Sequence, residues 1–380
     1  DVSFTLKNGV LTLEARNMLN KNYPLSIDPT ITITTTSDFR TGYDDGMVDY
    51  STTGQIGRSA VSLGTLGATT QQASAFTTAR FAHSSFAYNG YLYIVGGCSA
   101  GNCTNALSDI QYCPINSGGD IGACTQQTSA FTNARAYHTS EVYNGYLYII
   151  GGWNGTTKYD DIQYCPINTD GSVGTCTQQT SAFTGGGRYI HSTSTYNGYL
   201  YIVGGYTTAQ QNDIQYCPIN ASGSVGACTQ QTSAFTSARW GHQSVVYNNH
   251  MYIIGGQHVA SDASCHTSSS TFCSDIQYCP INANGSVGTC TQQNGAITTP
   301  RTRIRSLAYS GFLYVTGGGD GGYYATVQYC PINANGSIGT CNATTSFTTA
   351  RSDHASFEYN GYVYVVGGNN SFQNDIQRLP

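Results

Sequence analysis

The sequence predicts an all-β fold, a six-bladed β-propeller with four-stranded blades. Three observations carry the prediction. One block of text recurs six times at a period of about 50 residues, which points to a propeller or solenoid. Each block splits into four short runs rich in aromatic and β-branched residues, with no helix-period segment. Asn-Gly pairs at Asn89-Gly90, Asn144-Gly145, Asn197-Gly198 and Asn360-Gly361 separate the first two runs, the strongest short-range hairpin signal.

Residues 1–58 lie outside the repeat. Strand-like runs stand at Val2–Leu6, Val10–Leu13 and Ile31–Thr34, around the phrase Tyr23-Pro-Leu-Ser-Ile-Asp-Pro-Thr30. They read as an N-terminal β extension, either the tail of an upstream β-sandwich or an assembly strand. Strands without a complete sheet are an edge liability, so they lie on the propeller or pair with another molecule. Residues 59–380 form the propeller, and 59–72 match only the fourth run of a repeat. At the other end, Asp375-Ile-Gln-Arg-Leu379 is a third run without a fourth. The N-terminal strand therefore completes the last blade and closes the ring. Thr69 and Leu379 stand where this blade's two cysteines would be, so both halves lack the cysteine together.

Within each repeat the first run carries Arg and His and ends in Tyr. The second alternates to a Gly-Gly, as in Tyr146 to Gly151-Gly152. The third is Asp161-Ile-Gln-Tyr-Cys165-Pro-Ile, and the fourth is Ser172-Val-Gly-Thr-Cys176-Thr-Gln-Gln. Blades begin near residues 73, 128, 180, 232, 294 and 343. The loops after Gly-Gly differ most, being longest in blade 4 (Gln257–Ser274) and blade 1 (Cys98–Ser108). Blade 5 breaks the pattern at Pro300-Arg-Thr-Arg-Ile-Arg305. Ile304 replaces the histidine there, and two arginines are added.

Arg-x-x-His, a hydrophobic run, Tyr-Ile-Val-Gly-Gly and Asp-Ile-Gln-Tyr together resemble the kelch pattern. The resemblance covers about residues 59–380. It looks like the kelch-like propellers of bacterial secreted proteins, which share an architecture with the central domain of galactose oxidase. The phrase Tyr23–Thr30 is likewise similar to a segment that ends a β-sandwich in many bacterial secreted proteins. Kelch repeats usually carry a Trp in the fourth strand, packed between blades. Here Cys124, Cys176, Cys228, Cys290 and Cys341 stand near that place, so something else must hold each blade.

Only 9% of residues are charged and the net charge is -5, which argues against a nucleic-acid partner. No apolar run approaches the ~20 residues of a membrane span. The start at Asp1, without Met or signal peptide, reads as a mature or excised product. All 14 cysteines fall in local pairs. Five pairs join third and fourth strands: Cys113–Cys124, Cys165–Cys176, Cys217–Cys228, Cys279–Cys290 and Cys330–Cys341. Two lie in loops, Cys98–Cys103 and Cys265–Cys273. A spacing of 11 places each strand pair opposite one another on a hairpin, where a disulfide closes. The alternative is metal binding, but zinc needs four clustered ligands and these come as isolated pairs. Disulfides imply an oxidising compartment.

Candidate sites are few. Arg80, Arg135, Arg188, Arg239, Arg301 and Arg351 would ring one end of the channel. They either hold an anion bidentately or bond backbone carbonyls at blade junctions. His83, His138, His191, His242 and His354 repeat with the blades and do not converge as metal ligands. The non-repeating loop aromatics Trp153, Tyr159, Tyr206, Trp240, Phe272, Tyr323 and Tyr324 suit sugars or peptide surfaces, or else pack their loops. Asp160, Asp161 and Asp320 fit no known calcium loop. Sequons at Asn102, Asn154, Asn220, Asn284, Asn335, Asn342 and Asn369 permit N-glycans, although turn chemistry alone explains some of them. Galactose oxidase needs copper on Tyr and His with a Cys–Tyr crosslink, and no such constellation stands out, so no cofactor is expected. The sequence reads as a non-enzymatic, secreted, disulfide-stapled cell-surface module for adhesion or scaffolding. Its partners would be other proteins or surface glycans. A filament subunit joined through residues 1–58 and a carbohydrate-binding adhesin are the alternatives.

Overall fold

The computed structural model describes residues 65–380, apart from 73–74, 260–264 and 266–270, together with four strand backbones nearer the N-terminus. The chain divides into two compact units, Asp1–Val61 and Ser62–Pro380. In the first, Val2–Lys7 pairs with Val10–Ala15 and Val48–Tyr50 with Ile56–Arg58, each as a two-stranded antiparallel sheet. The expected run Ile31–Thr34 and the phrase Tyr23–Thr30 lie outside the described residues.

The second unit is six antiparallel blades of four strands. Their inner strands are Ser84–Tyr88, Thr139–Tyr143, Ser192–Tyr196, Gln243–Tyr247, Arg305–Tyr309 and Ala355–Tyr359. In blade 2 these are followed by Tyr146–Ile150, Ile162–Pro166 and the short outer Thr177–Gln179. Blade 6 takes its outer strand from the N-terminal side, where Thr70–Gln72 pairs with Gln373–Leu379. The register puts Leu379 opposite Val363, as Cys165 lies opposite Leu147, so Leu379 fills the cysteine position and is fully buried. Between the first two strands, Asn89 (φ 48°) and Gly90 (φ 80°) take the paired left-handed conformation that an Asn-Gly hairpin requires.

The repeated polar residues form one buried network per blade. Arg135 donates to both oxygens of Asp161 (2.6 and 2.9 Å) and to the Gly151 carbonyl (2.8 Å). The same carboxylate accepts from Gln163 (3.0 Å) and Gln178 (2.7 Å). Gln163 also accepts from the Thr132 amide at 2.9 Å. Both ions are nearly water-free, so this full set of partners is what offsets their desolvation. Arg80–Asp109, Arg188–Asp213, Arg239–Asp275 and Arg351–Asp375 repeat the pair. Burial acts to raise the Asp109, Asp213 and Asp375 pKa values, but the arginine beside each overrides it and holds them below the usual range.

The blade-to-blade joint that a tryptophan would make is made by glutamine. The last residue of the Thr-Gln-Gln run, Gln127, accepts from the Val173 amide (2.8 Å) and donates to its carbonyl (2.9 Å) in the next blade. Gln72, Gln179, Gln231 and Gln293 do the same to Ile121, Val225, Val287 and Ile338. At the remaining joint, Thr344 replaces glutamine and accepts from the Leu66 amide at 2.7 Å. The Gly-Gly doublets allow close approach at the same seam. A Cβ on Gly96 (φ 53°) would sit 2.9 Å from the Arg135 carbonyl oxygen of the next blade. All seven expected disulfides are formed, and five of them tie third strand to fourth.

Candidate functional site

The channel opens on the Gly-Gly face through a closed belt of backbone hydrogen bonds. Ala82, Tyr137, Ile190, Gly241, Arg303 and Asp353 each give one amide to the previous blade, and Ala82 gives its amide to Asp353. Five links measure 2.7–3.0 Å, and the sixth, Asp353 N–H to the Arg303 carbonyl, is 3.4 Å. Every belt residue has a left-handed φ, between 51° and 65°. In a non-glycine residue that conformation needs support from its surroundings, and the belt bonds supply it. The side chains of Tyr137, Ile190 and Arg303 line the mouth, with Asp353 buried against Arg303.

Above the belt runs an arc of aromatic rings on blades 6, 1, 2 and 3. Phe372 stacks on Phe81 (5.3 Å), Phe81 meets Tyr137 edge-on (6.1 Å), and Tyr137 meets Tyr189 (6.2 Å). Tyr189 stacks on Trp153 (5.5 Å) and meets Tyr206 edge-on (5.7 Å). Lys158 lies over Tyr206 at 5.0 Å. On blades 4 to 6 the rim is Trp240, with the Arg303 guanidinium 5.4 Å above it, and the Arg303–Asp353 ion pair at 3.4 Å. Arg303 Nε has no hydrogen-bond partner. Burial, then the charge of Asp353, pushes the Tyr137 hydroxyl pKa upward, so it stays a donor. Tyr137, Trp153, Tyr189, Tyr206, Trp240 and Arg303 line one cleft of about 370 Å³. Phe81, Tyr137, Trp153, Arg303 and Phe372 line a second that adjoins it.

Below the belt the inner strands enclose a cavity of about 380 Å³. It contains Arg305 from blade 5 and Glu141 from blade 2. Burial pushes Glu141 up to about 7, against the hydrogen bond it accepts from Thr193 at 2.7 Å. Four histidines each place Nε2 against a hydroxyl of the preceding blade, as His138 does on Ser84 at 3.1 Å and His191 on Thr139 at 3.1 Å. In the blade before His83, Ala355 holds the position of these hydroxyl residues, and neither ring nitrogen of His83 has a side-chain hydrogen-bond partner. Burial, then the nearby arginine, lowers His138 and His242 to about 3.

The structure moves several expected sites. Of the two alternatives for the six repeated arginines, the backbone one fits: each donates to the first carbonyl of its Gly-Gly doublet. They are buried inside their blades, five on aspartates, while Arg301 has Thr326 in place of Asp. Asp161 belongs to that pairing and is not a calcium ligand. Asp320 is exposed beside Tyr324. Of the seven loop aromatics, Trp153, Tyr206 and Trp240 line the mouth cleft. Tyr159 and Tyr324 instead lie under the guanidinium groups of Arg135 and Arg301, both at 4.4 Å. Phe272 bridges Gln257 in the blade 4 loop, and Tyr323 is exposed. Among the sequons, Asn102, Asn220, Asn284, Asn335 and Asn342 are exposed, whereas Asn154 is engaged by Thr156, Thr157 and Tyr159. Phe81, Tyr137, Tyr189, Phe372 and Asp353 are not evident as site residues from sequence, although all but Phe372 stand one or two residues after a repeated arginine, where the blades vary while their neighbours repeat.

Six four-stranded blades, an Arg–Asp pair in five of them and a Gly-Gly seam define a kelch-type propeller. The profile of the KLHDC2/KLHL20/DRC7 kelch-repeats domain matches residues 65–256, and the chain belongs to this kelch-repeat family. No curated protein matches it.

Proposed function

We propose that this chain is an extracellular, non-enzymatic interaction module that docks a protein partner on the aromatic mouth of its propeller. The observation that carries the reading is the distribution of difference. The blades repeat their buried polar network and diverge at the mouth, where aromatic rings form a continuous arc beside an Arg–Asp pair. Large, rigid rings with one polar tip give contact area at low entropic cost, which suits protein recognition. Kelch propellers generally bind proteins. Seven disulfides fit a compartment outside the reducing cytosol. The test is binding of the labelled full chain to intact producing cells, before and after surface proteolysis. Saturable binding lost on proteolysis, and lost again in the Trp153→Ala/Tyr206→Ala/Trp240→Ala variant, supports the reading. Binding that survives the triple substitution overturns the site. Binding that survives proteolysis but disappears on deglycosylation of the cells assigns the mouth to glycans.

One observation favours a second reading, self-assembly. Among the described residues of Asp1–Val61, the strands pair only as two-stranded sheets, which leaves edges to fill. Leu6→Pro together with Leu11→Pro, whose amides point away from the hairpin, would block such edges in the full chain. Oligomers or fibres by electron microscopy, absent in that variant, would support assembly. Monomers in both would exclude it.

A further inference from the structure

We propose that the channel below the mouth holds one small inorganic anion, such as chloride or bromide, on Arg305 and the serine hydroxyls around it. One substitution among the repeats sets blade 5 apart. The first inner-strand residue is Ser84, Thr139, Ser192, Gln243 and Ala355 in five blades, and Arg305 in blade 5. Its guanidinium lies within the cavity, and its one hydrogen bond is from Nη1 to the Ile304 carbonyl at 3.0 Å. A guanidinium carries five N–H donors and keeps its charge, so most of its donors are left for a ligand.

No carboxylate is placed to neutralise it. Asp353 is paired with Arg303 and accepts from Ser352, and it acts on Arg305 only through its field. Glu141 accepts from Thr193 on the other side of the channel. The field of Arg305 also reaches His83, His138 and His354, which burial keeps neutral. A half-buried guanidinium without a carboxylate partner attracts a counter-anion from the channel solvent.

The surroundings supply the remaining donors. The second inner-strand residue bears a hydroxyl in all six blades: Ser85, Ser140, Thr193, Ser244, Ser306 and Ser356, all lining the cavity. Ser85 Oγ and Ser306 Oγ are buried with no partner. Ser140 accepts from Ser84 and so keeps its own proton to donate, and Ser356 Oγ lies 3.2 Å from Thr316 Oγ1. These four serines belong to blades 5, 6, 1 and 2, the arc over which the field of Arg305 falls on His83, His138 and His354. A cation flanked by hydroxyl donors, with the other charged groups that line the cavity among the described residues committed elsewhere, is the chemistry of an anion site. The backbone belt stands between this arc and the mouth, which favours a free ion over an acidic side chain from a partner.

Bromide is the probe, with the full chain crystallised in bromide and anomalous scattering recorded. The expected result is one strong peak beside Arg305 that is absent in Arg305→Gln and retained in Arg303→Gln. In solution, thermal midpoints are followed as chloride replaces gluconate at constant ionic strength. A single site at 100 times its Kd raises the midpoint by about 5 °C, and Arg305→Gln should be flat. Should Arg305→Gln fail to fold, Ser85→Ala/Ser306→Ala serves, with at least a tenfold weaker bromide affinity expected. No channel peak and a chloride-independent midpoint in the wild type would overturn the proposal and leave the channel to water. A peak that persists in the variants would overturn the assignment to Arg305. Neither readout depends on the mouth cleft, so failure of partner docking leaves this inference standing.

Discussion

Replacing Asp275 by Thr should unfold the propeller more readily than replacing Asp161 by Thr, although the two aspartates have the same partners. Asp275 accepts from Arg239 at 2.6 and 3.0 Å and from Gln277 and Gln292 at 2.9 and 2.8 Å. Removing one member of a buried ion pair costs about 3–5 kcal/mol, because the other charge stays behind. Blade 5 shows how the chain tolerates that loss naturally. There Arg301 faces Thr326, donating to Oγ1 at 2.9 Å, and its guanidinium lies 4.4 Å from the Tyr324 ring. Blade 2 already has the matching ring, Tyr159, 4.4 Å from Arg135. Blade 4 has only Phe235, at 5.8 Å. A desolvated cation–π contact is worth up to about 2 kcal/mol. Asp275→Thr is therefore expected to cost about 3–5 kcal/mol, and Asp161→Thr roughly 1–2 kcal/mol less. At about 2 °C per kcal/mol for a domain of this size, the first lowers the midpoint by roughly 6–10 °C. Urea unfolding under non-reducing conditions, with calorimetry, gives both numbers. Equal losses, or a larger loss for Asp161→Thr, would refute the idea that the tyrosine compensates for the missing carboxylate.

Other predictions test neighbouring parts of the scheme. Gln127→Ala removes two bonds to Val173 and should cost about 1–3 kcal/mol by urea unfolding, more than Gln127→Glu retains. Reducing the disulfide of one blade, by Cys217→Ser with Cys228→Ser, should cost about 2–4 kcal/mol, while the Cys265→Ser/Cys273→Ser loop variant costs less if that loop carries no packing load. Glu141 has a folded pKa near 7, above its unfolded value, so the folded state binds the extra proton and stability falls as pH rises through that window. Glu141→Gln should therefore melt higher than wild type at pH 8 and lose the advantage near pH 5. The depressed histidines act in the opposite sense: stability is lost as pH falls from about 6.5 toward 3, and His138→Gln should flatten that limb in a pH series of midpoints.

The six-fold period, the Asn-Gly hairpins, the cysteine pairs and the ring closure by residues near Thr70 could all be read before any coordinates, because each depends on spacing alone. The roles of the repeated polar residues could not, because they depend on which blade a side chain faces. Yet one internal signal was present. Where blade 5 loses its aspartate to Thr326, it also loses the glutamine that would bond it, and Ala343 stands opposite Gln328. Paired loss of that kind marks a contact. Likewise, Ala355 and Val366 of blade 6 stand where blade 5 has Arg305 and Thr316, so neither offers His83 the hydroxyl that four other histidines find. The mouth was hidden for another reason. Its residues come from six separate repeats and share no motif, and only the closed belt of amides brings them together. Tyr159 and Tyr324 look like free loop aromatics in sequence because nothing local reveals the arginine beneath each.

In a chain whose repeats agree so closely, agreement and disagreement carry different information. A residue present in every blade is explained by a contact present in every blade, and the Arg–Asp–Gln network and the glutamine joint account for most of them. The departures then need their own cause, and they are not spread evenly. Blade 5 alone gives up the aspartate, the histidine and both outer-strand glutamines. The same blade sends Arg303 to the mouth and Arg305 into the channel. Giving up three stabilising features while adding two cations at the axis runs against stability, which is the usual mark of a position held for another purpose. The mouth cleft and the channel anion both draw on this blade. A functional search that varies blade 5 residues, with blade 2 as the structural control, therefore addresses both.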